Sequence, residues 1–357
     1  MSLSEEMKNF IKKQTQSTQR EMLSFIQNAL LKDRITFVKG EMCCPSCGSV
    51  HYKKNGHNSN GEQRYICCDC KKSFSDRTKS FFYHCRLTKD KWLQFIDLEV
   101  TGMSLKEEAY YLGVSKTTCF FMRHKLYRCL ALLYKKETLS GEIELDASYF
   151  KINLKGTKPE NMPRYSKTRG NTSAFSGISH HKICAIVAVD ENDNMILKIS
   201  GLGGESLEKY ESQLEHFENV KTVVSDSKSC IPQFCNLLEC EHDVIPVIAN
   251  KKQYTTKNGN HLGDLNEIVE GFRTSIKYKK GVSTRYLQDE LDFYTVKKKL
   301  KYQMDRSKIK HYIFNLLCEA GYISTEEIVL SELPISLKEA YFDYHYGIFS
   351  ETQQLLN

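Results

Sequence analysis

No apolar run in this chain approaches the roughly 18 residues that a bilayer-spanning helix needs, which excludes a helical membrane anchor. The first residues, Met1-Ser2-Leu3-Ser4-Glu5-Glu6, are polar and acidic. They lack the basic-then-apolar order of a secretory signal. Without an export signal, the fourteen cysteines are expected to stay reduced in a cytoplasm, where they bind metal or pack in cores. Positive charge is scarce in one part of the chain. Residues 141–357 carry 27 Lys+Arg against 30 Asp+Glu, whereas residues 1–140 carry 24 against 14. A basic front end on a mildly acidic remainder suggests an anion-binding amino-terminal portion. At 357 residues, 40% hydrophobic and 27% charged, the chain has room for two or three domains with their own cores.

The strongest positive signal is a cysteine pattern. Cys44-Pro45-Ser46-Cys47 and Cys67-Cys68-Asp69-Cys70 are two Cys-x-x-Cys pairs about twenty residues apart. Zn²⁺ takes four soft ligands at the corners of a tetrahedron, and two short cysteine turns facing each other supply them. The segment from Gly48 to Ile66 is polar and contains Gly56 and Gly61, which suits a β-hairpin arm without a core. The metal must then supply the folding energy. Cys43 and Cys68 lie beside the ligands, and the i, i+3 spacing favours Cys44, Cys47, Cys67 and Cys70. Phe74 follows the last of these by four residues, where an aromatic plug is expected under the metal.

Residues 1–40 read as a helical arm, with Met7, Phe10, Ile11, Met22, Phe25, Ile26 and Leu30 at three- and four-residue steps. The zinc ribbon occupies 41–80. Residues 84–136 are helical. Thr88 caps a first helix whose core face includes Trp92, Phe95, Ile96 and Leu98. Ser104-Leu105-Lys106-Glu107 is a capping box. Gly113-Val114-Ser115 turns the chain into a helix that runs to about Tyr134. This order is that of a helix-turn-helix. Its second helix is expected to present Lys116, Thr117, Thr118 and Phe120 to base edges, with Arg123, His124 and Lys125 behind.

From Gly141 strands and helices alternate. Strands are expected over 142–150, 182–190, 195–200, 221–225 and 243–247. Helices are expected over 207–217, 229–238 and 262–277. An antiparallel start followed by β-α-β-α is the order of an RNase H-like α/β fold, placed here over 141–300. Residues 301–357 read as a helical tail rich in Tyr and Phe.

Three acids stand out by position. Asp146 interrupts the apolar face of the first strand, Asp226 ends the strand Thr222-Val223-Val224-Ser225, and Glu267 lies on the helix 262–277. A carboxylate in or just beyond a central strand is costly unless a positive charge neutralises it. Two divalent cations roughly 4 Å apart do so, and hard oxygen ligands with open positions suit Mg²⁺ or Mn²⁺. Such a pair activates a water or a 3′-hydroxyl for attack at phosphorus.

These residues resemble the bacterial insertion-sequence transposases of the ISXO-like group, over about 41 to 300. The likeness lies in Cys-Pro-Ser-Cys-Gly (44–48), in Gln63-Arg64-Tyr65-Ile66-Cys67-Cys68-Asp69-Cys70 with Phe74, in Glu144-Leu145-Asp146-Ala147-Ser148-Tyr149-Phe150, in Val224-Ser225-Asp226 and in Asn266-Glu267-Ile268-Val269-Glu270-Gly271-Phe272. The resemblance implies a zinc ribbon and a helix-turn-helix joined to an RNase H-like DDE domain. It makes Glu267 the third metal position, with Glu270 as runner-up one turn away, and Lys277 the group that holds a DNA phosphate. Where the family often has a second acid after the first Asp, this chain has Ala147 and Ser148. The expected function is a DNA transposase that binds the inverted repeats of a mobile element and cleaves and joins strands with Mg²⁺ or Mn²⁺. The expected partners are double-stranded DNA and a second copy of the chain. A regulator that binds DNA without catalysis, and a nuclease that cuts without joining, are the alternatives.

Overall fold

Short-range chemistry sets the first described elements. A computed structural model describes residues 42–58, 62–133, 138–156, 177–246, 254–279 and 281–341, with two short paired strands at 344–345 and 348–349. The helical arm expected over 1–40 lies outside the described residues. Strands β1 (Tyr52–His57), β2 (Gln63–Cys67) and β3 (Ser73–Ser75) form an antiparallel three-stranded sheet in that order. Its side chains are mostly exposed, so its core is small: Cys44, Cys67 and Phe74, with Met42, Tyr52, Tyr65 and Cys70 against them.

The next three elements are helices α1 (Lys89–Thr101), α2 (Leu105–Leu112) and α3 (Lys116–Leu133). The capping box forms as the sequence predicts. Ser104 Oγ accepts from the Glu107 amide, and the Glu107 carboxylate accepts from the Ser104 amide at 2.9 Å. A cap of this kind is worth about 1 kcal/mol. Gly113 ends α2 in the left-handed region at φ 63°, where a Cβ would strain the backbone. Ser115 Oγ then accepts from the Thr118 amide at 3.0 Å and starts α3.

A five-stranded sheet follows, built from β4 (Leu139–Lys151), β5 (Lys182–Asp190), β6 (Met195–Leu202), β7 (Phe217–Asp226) and β8 (Glu241–Ile245). The spatial order is β6-β5-β4-β7-β8. The β4–β5 and β5–β6 pairs are antiparallel, and β4–β7 and β7–β8 are parallel. Helices α4 (Leu207–Glu211) and α5 (Ile231–Leu238) belong to one face, α6 (Gly263–Tyr278) and α7 (Leu287–Gln303) to the other. Alternation along β4 feeds both. Ile143, Leu145 and Ala147 join a core with Tyr210, Ile231 and Phe234. Phe150 packs into the other core, which holds Leu265, Ile268, Phe272, Leu291 and Tyr294. The mixed α/β class expected from sequence is therefore the one observed.

One expected helix is divided. The reading of 207–217 as a single helix gives way to α4, a 3₁₀ turn over Leu214–His216, and a strand that already begins at Phe217. Phe217 is held there by pairing with Leu139 of β4. Within the helical tail expected over 301–357, the described residues form helices α8 (Arg306–Glu319) and α9 (Thr325–Val329), and residues 350–357 lie outside the described residues.

The chain forms two compact units. One holds the ribbon, most of α1 and residues 310–322; the other holds residues 98–309 and 323–357. Aromatic packing consolidates the first unit, where Phe81 and Trp92 lie 5.3 Å apart and Phe82 and Phe314 lie 5.4 Å apart. Ser80 and Gly321 form a β-bridge there. Helices α2 and α3 fall in the second unit, with the five-stranded sheet.

Their attachment is a buried ion network. Arg123 of α3 is 4% exposed. It donates to Glu99 at 2.5 Å, to Glu108 at 2.6 Å and to the Met103 carbonyl at 3.0 Å. Tyr127 donates to Glu99, and Lys279 donates to Tyr127 and to Glu290 of α7. Burial alone would neutralise Glu99, but Arg123 and then Lys279 hold it below the ordinary carboxylate range. Burial first, and then the negative Glu99, push Glu108 up to about 9.

Candidate functional site

In the first unit, the four cysteines singled out by spacing come together. Their sulfurs all lie within 4.8 Å of one another. Cys44 and Cys70 are 3.6 Å apart, as are Cys47 and Cys67. A tetrahedron with Zn–S bonds near 2.3 Å has edges of about 3.8 Å, so the donor set fits zinc. On their own the turns draw two of the thiols down, while, against the Ser49 amide, the Cys70 sulfur and burial push Cys47 up to about 12. The Cys70 amide, working against burial and joined by the Asp69 amide, draws the Cys67 thiol down to about 6. Burial opposes the Cys44 thiolate, but the Ser46 and Cys47 amides hold its pKa below the ordinary value. Phe74 is 5% exposed and stacks on Tyr65 with ring centres 5.6 Å apart. Around the cluster, Lys53, Lys54, Lys71 and Lys72 are exposed.

In the second unit, the direction of the strand order reverses at β4. β4 is central; the chain leaves it toward β5 on one side and returns to β7 on the other. Open sheets bind ligands beyond the carboxyl ends of strands at such a switch point. Glu144 pairs with Val224. The same register carried two residues further sets Asp146 level with Asp226. Both side chains are half-buried. Burial first, then the negative charges of Asp226 and Glu205, push Asp146 up to about 6. Burial also raises Asp226, and Lys228 opposes the shift.

The structure treats the remaining predicted site residues differently. Glu267 does not join the aspartates. It lies on α6 with its side chain 70% exposed and accepts from Lys298 of α7 at 2.6 Å. Glu270 and Lys277 are exposed on the same helix. From α6, Arg273 reaches the central strand, donating to Ser148 at 3.2 Å, and the Leu265 amide donates to Glu144 at 2.9 Å. Among the described residues, the cysteine cluster is the one group of three or more potential ligand atoms that converges within 4.8 Å.

On α3, Lys116 and Thr117 are exposed and Thr118 and Lys125 are half-buried. Phe120 is half-buried against His124 and Tyr286, with ring centres 4.5 and 5.4 Å away. Arg123, expected behind the base-reading residues, is 4% exposed and its guanidinium lies on Glu99 and Glu108.

Glu205 was missed by sequence reasoning. It lies between β6 and α4, its side chain is 5% exposed, and Lys228 is 3.1 Å from its Oε1. Tyr149 donates to Oε1 at 2.9 Å and Tyr210 donates to Oε2 at 2.6 Å. The signal that picked out Asp226, a carboxylate just beyond a buried strand, applies to Glu205 as well.

No family model matches the chain. An uncharacterized protein in the transposable element ISH50 of Halobacterium salinarum is 29% identical over 135 residues. That match covers 38% of this chain and 44% of the relative, so the chain spans less than half of the relative's length. Among solved structures, the Mos1 transposase paired-end complex with left transposon end is 15% identical at a TM-score of 0.25, covering 64% of this chain and 80% of that one. The Mos1 mariner paired-end complex with Mn is 15% identical at 0.24, covering 63% and 78%. Likeness at this level does not define the fold, which rests on the strand order and register above.

Proposed function

We propose that the chain is a DNA transposase that cleaves the ends of a mobile element and joins them to new DNA. The observation that carries this is the placement of Asp146 and Asp226, two half-buried acids level with each other on adjacent strands, Asp226 at the end of β7 and Asp146 within β4. Two such carboxylates are poorly neutralised by the chain itself, and a hard divalent cation suits them. Mg²⁺ or Mn²⁺ bound there lowers the cost of charge at phosphorus. A water oxygen attacks the phosphorus and the bond to the 3′-oxygen breaks, which releases a 3′-hydroxyl. That hydroxyl then attacks a target phosphorus, and a second 3′-oxygen leaves with its proton. Asp146 and Asp226 would hold the cation and Lys277 a phosphate; to complete the site from α6, Glu267 would have to leave its pair with Lys298, or its runner-up Glu270 would take its place.

Zinc on Cys44, Cys47, Cys67 and Cys70 stabilises the ribbon, whose exposed lysines neutralise DNA phosphates. Lys116, Thr117 and Thr118 read base edges, while Phe120 and Lys125 sit behind them. Holding two ends together requires at least two copies of the chain. The ISH50 relative points the same way over its matched 135 residues.

A second reading is a DNA-binding protein without catalysis. One observation favours it: Glu267 is paired with Lys298 instead of facing Asp146. Cleavage of an end-labelled duplex carrying the element's termini, with Mg²⁺, by wild type and Asp226→Asn separates the two. Loss of cutting in the variant supports catalysis; equal cutting, or none by wild type, ends it.

A further inference from the structure

Beside the Asp146–Asp226 pair stands a third acid, linked to Asp226 through Lys228. The third is Glu205. Its carboxylate is nearly enclosed, with its side chain 5% exposed. Tyr149 from β4 and Tyr210 from α4 each donate to a different oxygen of it, at 2.9 and 2.6 Å. Each carboxylate oxygen accepts more than one bond. The two hydroxyls therefore fix the orientation of Glu205 and leave acceptor capacity on both oxygens. Outer hydrogen bonds of this kind orient carboxylates that bind metals.

A cation already uses that capacity. The Lys228 ammonium lies 3.1 Å from Glu205 Oε1 and 3.7 Å from Asp226 Oδ2. It thus bridges the enclosed glutamate and one member of the aspartate pair. Lys228 is 40% exposed on a short loop after β7, whereas Glu205 is 5% exposed. The anion is enclosed, and the cation is the more exposed partner.

We propose that Glu205 is a further metal-binding carboxylate of the Asp146–Asp226 site, and that Lys228 is a resident counter-ion which a divalent cation displaces. This rests on the reading of that site as a metal site. It adds a ligand from the β6–α4 connection to those already proposed and makes metal entry an exchange of one positive charge for another.

The test is Mn²⁺ titration of the full chain with its cysteine site first saturated with zinc. Heat of binding and water-proton relaxation are read for wild type, Asp226→Asn, Glu205→Gln and Lys228→Met. Glu205→Gln is expected to weaken Mn²⁺ binding at least about tenfold, in the range that loss of a partner at a metal site produces. Lys228→Met, which removes the competitor, is expected to tighten it. Wild-type affinity in Glu205→Gln alongside weakened binding in Asp226→Asn overturns the role of Glu205 and leaves the site intact. Wild-type affinity in Asp226→Asn overturns both. Should Glu205→Gln fail to fold, Lys228→Met still decides: unchanged or weaker Mn²⁺ binding there overturns the exchange.

Discussion

Replacing Arg123 by Met tests the account of how α2 and α3 are fixed to the sheet. The side chain is 4% exposed and ends on Glu99 and Glu108, whose side chains are fully enclosed. Met fills much of the volume but leaves Glu99 with Tyr127 and with Lys279, which is 3.9 Å away. Removing one partner of a buried ion pair costs about 3–5 kcal/mol, because a charge is left uncompensated. Glu108 provides the contrast. With its pKa raised to about 9, it is protonated at neutral pH. Glu108→Gln then substitutes a neutral group for a neutral group and costs on the order of 1 kcal/mol. The pH dependence follows. Between the unfolded carboxylate pKa and about 9 the folded state holds one more proton than the unfolded state, so stability falls as pH rises through that window. Glu108→Gln abolishes this contribution. Urea unfolding followed by circular dichroism at several pH values measures all three chains. The single tryptophan, Trp92, lies in the other unit and serves as an internal reference. A cost below about 1 kcal/mol for Arg123→Met, or an unchanged pH slope in Glu108→Gln, refutes the network.

Further outcomes follow from the two sites. Asp146→Asn removes a carboxylate whose pKa rises from 3.8 to about 6 on folding. The native charge costs stability as pH rises through that window, so at neutral pH the metal-free variant should be more stable by about 1–3 kcal/mol while DNA cleavage is lost; a destabilised variant contradicts this. Cys67→Ser should reduce bound zinc from one per chain to none by elemental analysis and melt the ribbon without altering the sheet's transition; retained zinc refutes the ligand set. DNA affinity should fall steeply between low and moderate salt in a fluorescence-anisotropy titration, with a slope set by the number of phosphates neutralised; a flat response removes the lysine-rich ribbon as the docking surface.

Local rules made much of the fold legible in the sequence. The Cys-x-x-Cys turns, the capping box at Ser104 and the buried strand 182–190 are each specified within a few residues, and each is present. The helix expected over 207–217 failed for an instructive reason. Leu207, Tyr210, Leu214 and Phe217 follow helical spacing, yet all four reach the same core from a short helix, a 3₁₀ turn and a strand. Periodicity reported a shared face, not a continuous element. The partners of Arg123 were not legible because Glu99, Glu108 and Glu290 give no sequence sign that they converge on one helix. Glu205 follows a buried strand as Asp226 does, but the tyrosines that hold it, at 149 and 210, lie on two different elements and form no motif.

The central claim is that Asp146 of β4 and Asp226 at the end of β7 hold a divalent cation for chemistry at phosphorus. Crystals of the full chain soaked in manganese test it directly by anomalous diffraction. The account predicts a peak bound by the Asp146 and Asp226 carboxylates, with Lys228 drawn away. Strong anomalous signal elsewhere and none between those two side chains would contradict it.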